Sequence, residues 1–166
     1  MKLIIRKASA HWNGGAHGGT RAVTTESGAL HQARYSPGIP FRANSDTDPA
    51  ELIAAAHAAS FALALSRELG LAGSATGEIV TTATVTLEHV AAGWTILNIH
   101  LNTIARLPRM TQDRFIDATV RAKTSCLVSR LLRANISMNA KLERVKAVAR
   151  RRASRAAGAR IHRAAG

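Results

Sequence analysis

The chain has 166 residues and a formal net charge of +13, from 23 Lys and Arg residues against 10 Asp and Glu residues. This length predicts one domain with a hydrophobic core of its own. A single cysteine, Cys126, excludes an internal disulfide framework and is typical of a reducing compartment. The first seven residues lack an apolar segment long enough for a signal peptide, so we expect a cytoplasmic protein.

The positive charge is concentrated at the C-terminal end. Residues 144–166 hold eight basic residues and no acidic residue, whereas the rest of the chain holds 15 basic and 10 acidic residues. We therefore expect a folded domain at residues 1–143 and a basic, flexible tail at residues 144–166. Such a tail can bind polyanions loosely through phosphate contacts. It carries no aromatic residue for base stacking, so the pattern does not favour a specific nucleic-acid site.

The N-terminal part of the chain predicts an antiparallel meander of three strands. Apolar and polar residues alternate at residues 2–12, 20–25 and 29–35, which is typical of half-buried strands. Glycine-containing turns separate these segments.

Residues 48–66 predict a long apolar helix around which the chain is organised, and Gly70 and Gly73 are expected to end it. Asp48 suits the cap position, Pro49 suits the first helical position, and Glu51 can complete a box-like cap. Residues 52–66 carry no formal charge, so we expect the helix to be buried on most sides. An apolar run of about 15 residues is shorter than the ~20 needed to cross a bilayer, which predicts a core helix and no membrane association. Ser60 is a small polar residue in the middle of this run.

The remaining pattern continues as a hairpin, two helices and a last strand. Residues 79–90 and 94–105 are rich in β-branched residues and predict the hairpin. Thr111 is expected to cap a helix that breaks near Ser125, followed by a short helix at residues 127–133 and a strand at residues 136–142. The order βββ–α–ββ–α–α–β is that of an α+β protein. A chain this short has little sheet with which to cover so apolar a helix, which indicates that a partner subunit completes the core.

Four segments of the chain resemble the OsmC/Ohr family, with the osmotically inducible protein C branch the closer one. They are residues 10–14 (AHWNG), 24–28 (TTESG), 47–59 (TDPAELIAAAHAA) and 122–129 (AKTSCLVS). The likeness runs without obvious gaps from about Lys7 to Glu143. It implies an OsmC-like fold in which antiparallel sheets wrap around a central apolar helix, in an intertwined homodimer.

The resemblance also implies an activity, the thiol-dependent reduction of organic hydroperoxides in oxidative or osmotic stress. In the family, a peroxidatic cysteine in the core helix attacks the peroxide, and a resolving cysteine then forms a disulfide with it. The resemblance implies a dithiol reductant as partner, of unknown identity. The resemblance places the resolving position at Cys126 and the peroxidatic position at Ser60. A serine hydroxyl is a weaker nucleophile than a thiolate and has no sulfenic-acid chemistry, so the family reaction cannot run unchanged. No cofactor is implied, and the histidines show no spacing typical of a metal site.

The family's activating arginine and glutamate are also displaced in this sequence. Alignment without gaps puts them at Pro40 and Ala50, so Arg42 and Glu51 are the candidate substitutes. An engineered Cys→Ser replacement and a natural change both explain Ser60. The changes at Pro40 and Ala50 favour the natural one.

Two functions follow, one enzymatic and one not. The first is an OsmC-type hydroperoxide-defence protein with a modified or inactivated peroxidatic site. The alternative is a non-enzymatic homologue that binds a hydrophobic ligand or acts in the stress response without turnover.

The residues near Ser60 and Cys126 leave further alternatives open. Cys126 can act as a single-cysteine peroxidase or be an inert buried thiol, and the flanking Lys123 and Arg130 favour its thiolate. His57, one helical turn from Ser60, can be a base for a hydrolase or a structural group. Ser60 itself can simply bond to a carbonyl of the preceding turn.

Overall fold

The structure, a computed structural model, describes residues 3–14, 19–36, 46–73 and 77–143. Within these ranges the elements follow the predicted order, which confirms the α+β class. The predicted tail at residues 144–166 lies outside the described residues, so the boundary at residue 143 stays a prediction. The elements are β1 (Ala8–Asn13), β2 (Thr20–Thr25), β3 (Ala33–Arg34), α1 (Pro49–Leu71), β4 (Glu78–Val90), β5 (Gly93–Arg106), α2 (Gln112–Ser125), α3 (Leu127–Leu131) and β6 (Asn135–Glu143).

The first sheet, in the order β1-β2-β3, is the predicted antiparallel meander. Its outer strands are shorter than the sequence predicts, because residues 3–7 and 29–32 are not strands. Threonine hydroxyls of β2 bind the amides of the second turn: Leu30 N–H donates to Thr25 Oγ1 and Gln32 N–H donates to Thr24 Oγ1. Those amides are therefore occupied before β3 begins, and β3 pairs with β2 at only two positions.

The second sheet contains β4, β5 and β6 in that order. The predicted hairpin is confirmed, since β4 pairs antiparallel with β5 from Glu78 to Val90. The expectation of purely antiparallel sheets is wrong at β6, which runs parallel to β5 from Asn98 opposite Asn135 onward. The helices α2 and α3 return the chain to the other end of the sheet before β6 starts, and a crossover of this kind produces a parallel pair.

Helix α1 begins as predicted and ends, as expected, between Gly70 and Gly73. Asp48 Oδ1 accepts hydrogen bonds from the amides of Ala50 and Glu51 at 2.8 and 2.9 Å. The box-like cap does not form, because the Glu51 carboxylate accepts from the Thr47 hydroxyl at 2.6 Å. The helix has 23 residues and ends before Ala72. Helix α2 begins after Thr111 as predicted, but the Thr111 side chain makes no capping hydrogen bond.

One side of α1 is buried and the other is exposed. Its buried residues are His57, Phe61, Leu65, Glu68 and Leu69. Two leucines elsewhere on the helix, at positions 63 and 71, are each 74% exposed. The expectation of burial on most sides is therefore wrong for a single chain. The expectation that this helix is too short to cross a bilayer is also wrong. Helix α1 meets the length and composition criteria for a membrane span, and core helices of soluble proteins meet the same criteria.

The core lies between α1, α2 and the second sheet. Its large side chains include Phe61 and Leu65 from α1, Leu101 from β5 and Phe115 from α2, with Cys126 at its edge between the helices. Among the described elements, none outside the first sheet packs extensively against that sheet. All six residues of β1 are exposed.

Candidate functional site

The structure brings Ser60 and Cys126 into contact. Ser60 lies in the middle of α1 and Cys126 lies at the junction of α2 and α3, 66 positions further along the chain. The Cys126 thiol donates to Ser60 Oγ over 3.3 Å. Cys126 is fully buried, whereas Ser60 is partly buried.

The helix break that the sequence predicts near Ser125 positions the cysteine. Cys126 has an extended backbone, with φ −60° and ψ 122°. Its amide closes the last turn of α2 on the Ala122 carbonyl at 2.8 Å, and its own carbonyl accepts from the amide of Arg130 at 3.1 Å. The amide of Cys126 is thus hydrogen-bonded to α2 and its carbonyl to α3. The Cys126 side chain faces α1.

A second pair of side chains lies one turn away from the first. His57 Nε2 is 2.8 Å from Ser129 Oγ. His57 precedes Ser60 by three residues on α1, and Ser129 follows Cys126 by three residues, so each pair shares a helical face. His57 is fully buried, and burial lowers the pKa of its imidazole below the usual value. This favours the neutral imidazole near pH 7.

The environment of Cys126 favours its thiolate. Burial alone would raise the pKa of the thiol, because a buried charge loses its hydration. The hydroxyls of Ser129 and Ser60 and the amides of Ser129 and Val128 near the sulfur outweigh burial and lower the pKa of the thiol below its usual value. The Lys123 ammonium, expected to help, instead donates to the Ile136 carbonyl at 2.7 Å.

Of the predicted activating residues, the structure describes Glu51, which makes no hydrogen bond to this pair. Glu51 lies nine residues before Ser60, about 13 Å along the helix axis, and binds Thr47. Arg42 and Pro40 lie outside the described residues. Ala50 and Glu51 line a cavity of about 440 Å³ between the start of α1 and β4; its other lining residues are Asp48, Ala54, Val85, Thr86 and Leu87.

This arrangement can hold one sulfur as a thiol or thiolate against two hydroxyls. With one cysteine in the chain, an oxidised Cys126 cannot form an internal disulfide. In the described part of the chain, no group of three metal-ligating side chains comes together. Ser129 is the site residue that sequence reasoning missed. Its spacing from Cys126 matches that of His57 from Ser60, but only the packing of α3 on α1 shows that the two face each other.

Comparison with known proteins agrees with the fold. A family model described as OsmC-like protein matches residues 42–141. Peroxiredoxin OsmC of Escherichia coli strain K12 is 41% identical over 140 residues, which cover 84% of this chain and 98% of that protein.

Two solved structures extend this similarity to three dimensions. An organic hydroperoxide resistance protein from Elizabethkingia anophelis aligns with a TM-score of 0.64 at 25% identity, over 87% of this chain and 99% of that one. An OsmC-like protein of unknown function from Vibrio cholerae aligns with a TM-score of 0.70 over 83% and 99% of the two chains. At 13% identity, the second match concerns the fold alone.

Proposed function

Because the chain belongs to the OsmC-like family, we propose that it acts in defence against organic hydroperoxides through a modified peroxidatic site at Ser60 and Cys126. One relative is named a peroxiredoxin and another an organic hydroperoxide resistance protein, which supports this substrate class. The observation that carries the assignment of the two positions is the 3.3 Å contact between Cys126 Sγ and Ser60 Oγ.

This contact has the geometry that a resolving pair needs. A disulfide joins two sulfurs at about 2.05 Å and brings the Cβ atoms to about 3.8 Å. Ser60 Oγ and Cys126 Sγ are already 3.3 Å apart. Two sulfurs at these positions would therefore need only small changes in side-chain torsion to form a disulfide. The contact therefore supports Ser60 as the peroxidatic position and Cys126 as the resolving position.

The family reaction needs a second sulfur at position 60. A thiolate there would attack the outer peroxide oxygen, the O–O bond would break, and the alcohol would leave with a proton. Cys126 would then attack the sulfenic acid, release water and form a disulfide, which an external dithiol would reduce. Ser60 cannot perform the first step, which is why we describe the site as modified.

The variant Ser60→Cys tests the assignment. We expect it to reduce cumene hydroperoxide in the presence of dithiothreitol and to form an internal disulfide when the dithiol is omitted. The matched control is Ser66→Cys, which places a thiol on an exposed part of the same helix. If Ser60→Cys gains no more activity than this control, the assignment of position 60 is wrong.

A second candidate function, ligand binding without turnover, is favoured by the cavity at the start of α1. Its volume of about 440 Å³ is in the range of small-molecule sites. Its walls combine apolar side chains with the carboxyl groups of Asp48 and Glu51. Titration calorimetry with cumyl alcohol measures such binding directly. Ligand binding is favoured if the Ala54→Leu variant no longer binds cumyl alcohol and the Ser66→Leu variant still does. It also requires that the Ser60→Cys variant has no peroxidase activity.

We also propose that two copies form an intertwined homodimer, because the described residues of one chain leave two of its apolar surfaces uncovered. One is the exposed side of α1 around Leu63. The other is one face of the first sheet, where Ala10 pairs with Val23 and Trp12 with Arg21. A first sheet laid on the partner's α1 would cover both surfaces at once.

The oligomeric state is measured by sedimentation equilibrium. The proposal expects twice the single-chain mass of 17.6 kDa. Leu63→Asp should produce the single-chain mass, whereas Val80→Asp, on the outer face of the second sheet, should not. A parent chain that sediments as a monomer at micromolar concentration would contradict the proposal.

A further inference from the structure

We propose that His57 is a positioning residue: its hydrogen bond to Ser129 holds α3 on α1 and so keeps the Cys126 thiol buried beside Ser60. The effect reaches Cys126 through the backbone of α3, not through a side-chain contact with Ser129. The proposal rests on the proposed function only in treating Cys126 as part of the site. The OsmC resemblance assigns a position to Ser60 and to Cys126 but none to His57 or Ser129.

A short hydrogen bond joins α3 to α1. His57 Nε2 on α1 lies 2.8 Å from Ser129 Oγ on α3. The His57 ring is fully buried, and its Nδ1 atom has no hydrogen-bond partner among the described residues. Without Ser129, both ring nitrogens would therefore be buried and unpaired. A buried polar group that loses its partner costs more free energy than an exposed one, so the bond strongly favours the docked position of α3.

Apolar packing contributes little to the attachment of α3. The helix has five residues, and none of them is buried. Leu127 and Leu131 are 74% and 76% exposed, whereas Val128 is partly buried and packs against the core. A helix of little more than one turn is not stable by itself. Helix α3 therefore depends on its polar contact with α1 more than α2 does, since α2 buries four residues.

The position of Cys126 follows from the position of α3, because α3 begins at this residue. The Cys126 carbonyl accepts from the Arg130 amide at 3.1 Å and so closes the first turn of the helix. Ser129 lies in that turn, three residues beyond Cys126. A bond that holds Ser129 on α1 thus holds the start of α3 there as well. The fully buried thiol then stays 3.3 Å from Ser60 Oγ.

The other polar side chains around the helix break do not attach α3 to α1. Three of them donate to carbonyls of β6 or of α2 itself, namely Lys123, Thr124 and Ser125. The described side chains of residues 123–131 make two hydrogen bonds to α1, one at Ser129 and one at Cys126. Because a thiol is a weak donor, the bond at Ser129 is the stronger of the two.

The experiment is alkylation of Cys126 by iodoacetamide in the full chain, followed by mass spectrometry. The chain has one cysteine, so each added group reports on Cys126. A fully buried thiol reacts only when its surroundings open, so the rate follows the fraction of chains in which α3 has left α1. We expect Ser129→Ala to raise the rate at least about fivefold, since it leaves the buried His57 ring without its partner. Ser129→Thr retains the hydroxyl and should react at the parent rate.

Two substitutions at His57 test the same bond from the other helix. A glutamine amide can bond to Ser129 from the position of Nε2, whereas a leucine side chain cannot. We expect His57→Leu to raise the alkylation rate and His57→Gln to leave it near the parent rate. If Ser129→Ala fails to fold, this pair decides the question.

Added urea separates a local opening from unfolding of the whole chain. A local opening exposes little surface, so the alkylation rate through it changes little with urea, whereas the rate through global unfolding rises steeply. We expect the faster alkylation of Ser129→Ala to be nearly independent of urea below the unfolding transition. A rate that rises from the start with the slope of global unfolding would overturn the proposal.

A matched control comes from another histidine–serine pair in the same protein. His100 Nδ1 lies 2.7 Å from Ser137 Oγ across β5 and β6. Ser137→Ala removes that bond and should leave the alkylation rate of Cys126 unchanged. If Ser129→Ala or His57→Leu also leaves the rate unchanged, the proposal is overturned. Alkylation needs no peroxide, so its outcome is independent of the Ser60→Cys activity test.

Discussion

The two sheets of this protein differ in what lies against them. The second sheet packs on α1 and α2 and carries the core, so its inward residues Ile99 and Leu101 are fully buried. The first sheet has the same number of strands, but all of β1 is exposed. Pairing of strands alone does not bury apolar surface. A sheet needs a second layer, and among the described elements of one chain such a layer lies on the second sheet.

The largest expected effect lies in the core beneath the second sheet. Phe61→Ala removes a fully buried ring of α1 and should lower the free energy of unfolding by about 3–5 kcal/mol. Chemical denaturation at a fixed protein concentration measures this loss. A loss below about 1 kcal/mol, close to the effect of a surface substitution, would mean that α1 does not anchor the core.

A leucine on the opposite side of α1 shows whether that side is covered. Leu63→Ala should cost less than about 0.5 kcal/mol if the exposed side faces water, as in a single chain. The homodimer predicts a larger cost of about 2–3 kcal/mol, because the side chain would then be buried. Denaturation at two protein concentrations separates these outcomes, since dimer stability depends on concentration.

Stability should depend on pH through His57, which is buried on α1 against the core. The pKa of His57 is lowered by burial, so its contribution is complete above the usual value of 6.5 and is lost as pH falls toward the folded pKa. This adds a slope of at most about 1.4 kcal/mol per pH unit. His57→Gln should reduce the slope between about pH 7 and pH 5, whereas His11→Gln, on exposed β1, serves as the control. Equal slopes in both variants would contradict the assignment to His57.

The smallest expected effect lies in the first sheet. Trp12 is 47% exposed and stacks on the Arg21 guanidinium at 4.1 Å. Trp12→Ala should cost about 0.5–1 kcal/mol if this contact is all that it loses. A cost as large as that of Phe61→Ala would show that a partner covers this face of the sheet. Thermal unfolding of both variants at equal concentration makes the comparison.

The sequence was sufficient for the elements and their order. Alternation along β4 and β5 and the apolar run of α1 are local patterns that follow from burial on one face, so they can be recognised without a partner strand or helix. The parallel pairing of β6 could not be predicted in this way, because alternation does not specify which strand is the neighbour.

The candidate site was predictable in part. The family resemblance picked out Ser60 and Cys126, and the structure places them in contact. The thiolate was expected to depend on nearby cations in the sequence, yet Lys123 reaches a carbonyl of β6 instead. A long flexible side chain can reach several partners, so its position along the chain is weak evidence for its contact.

The contact between Ser60 and Cys126 has a consequence for how the fold responds to its surroundings. Where two thiols meet between two helices, oxidation ties the helices together and restricts the unfolded chain as well. A hydroxyl opposite a thiol cannot form that cross-link. The junction of α2 and α3 is therefore held on α1 by packing and hydrogen bonds alone, and oxidising or reducing conditions leave the connectivity of the single chain unchanged.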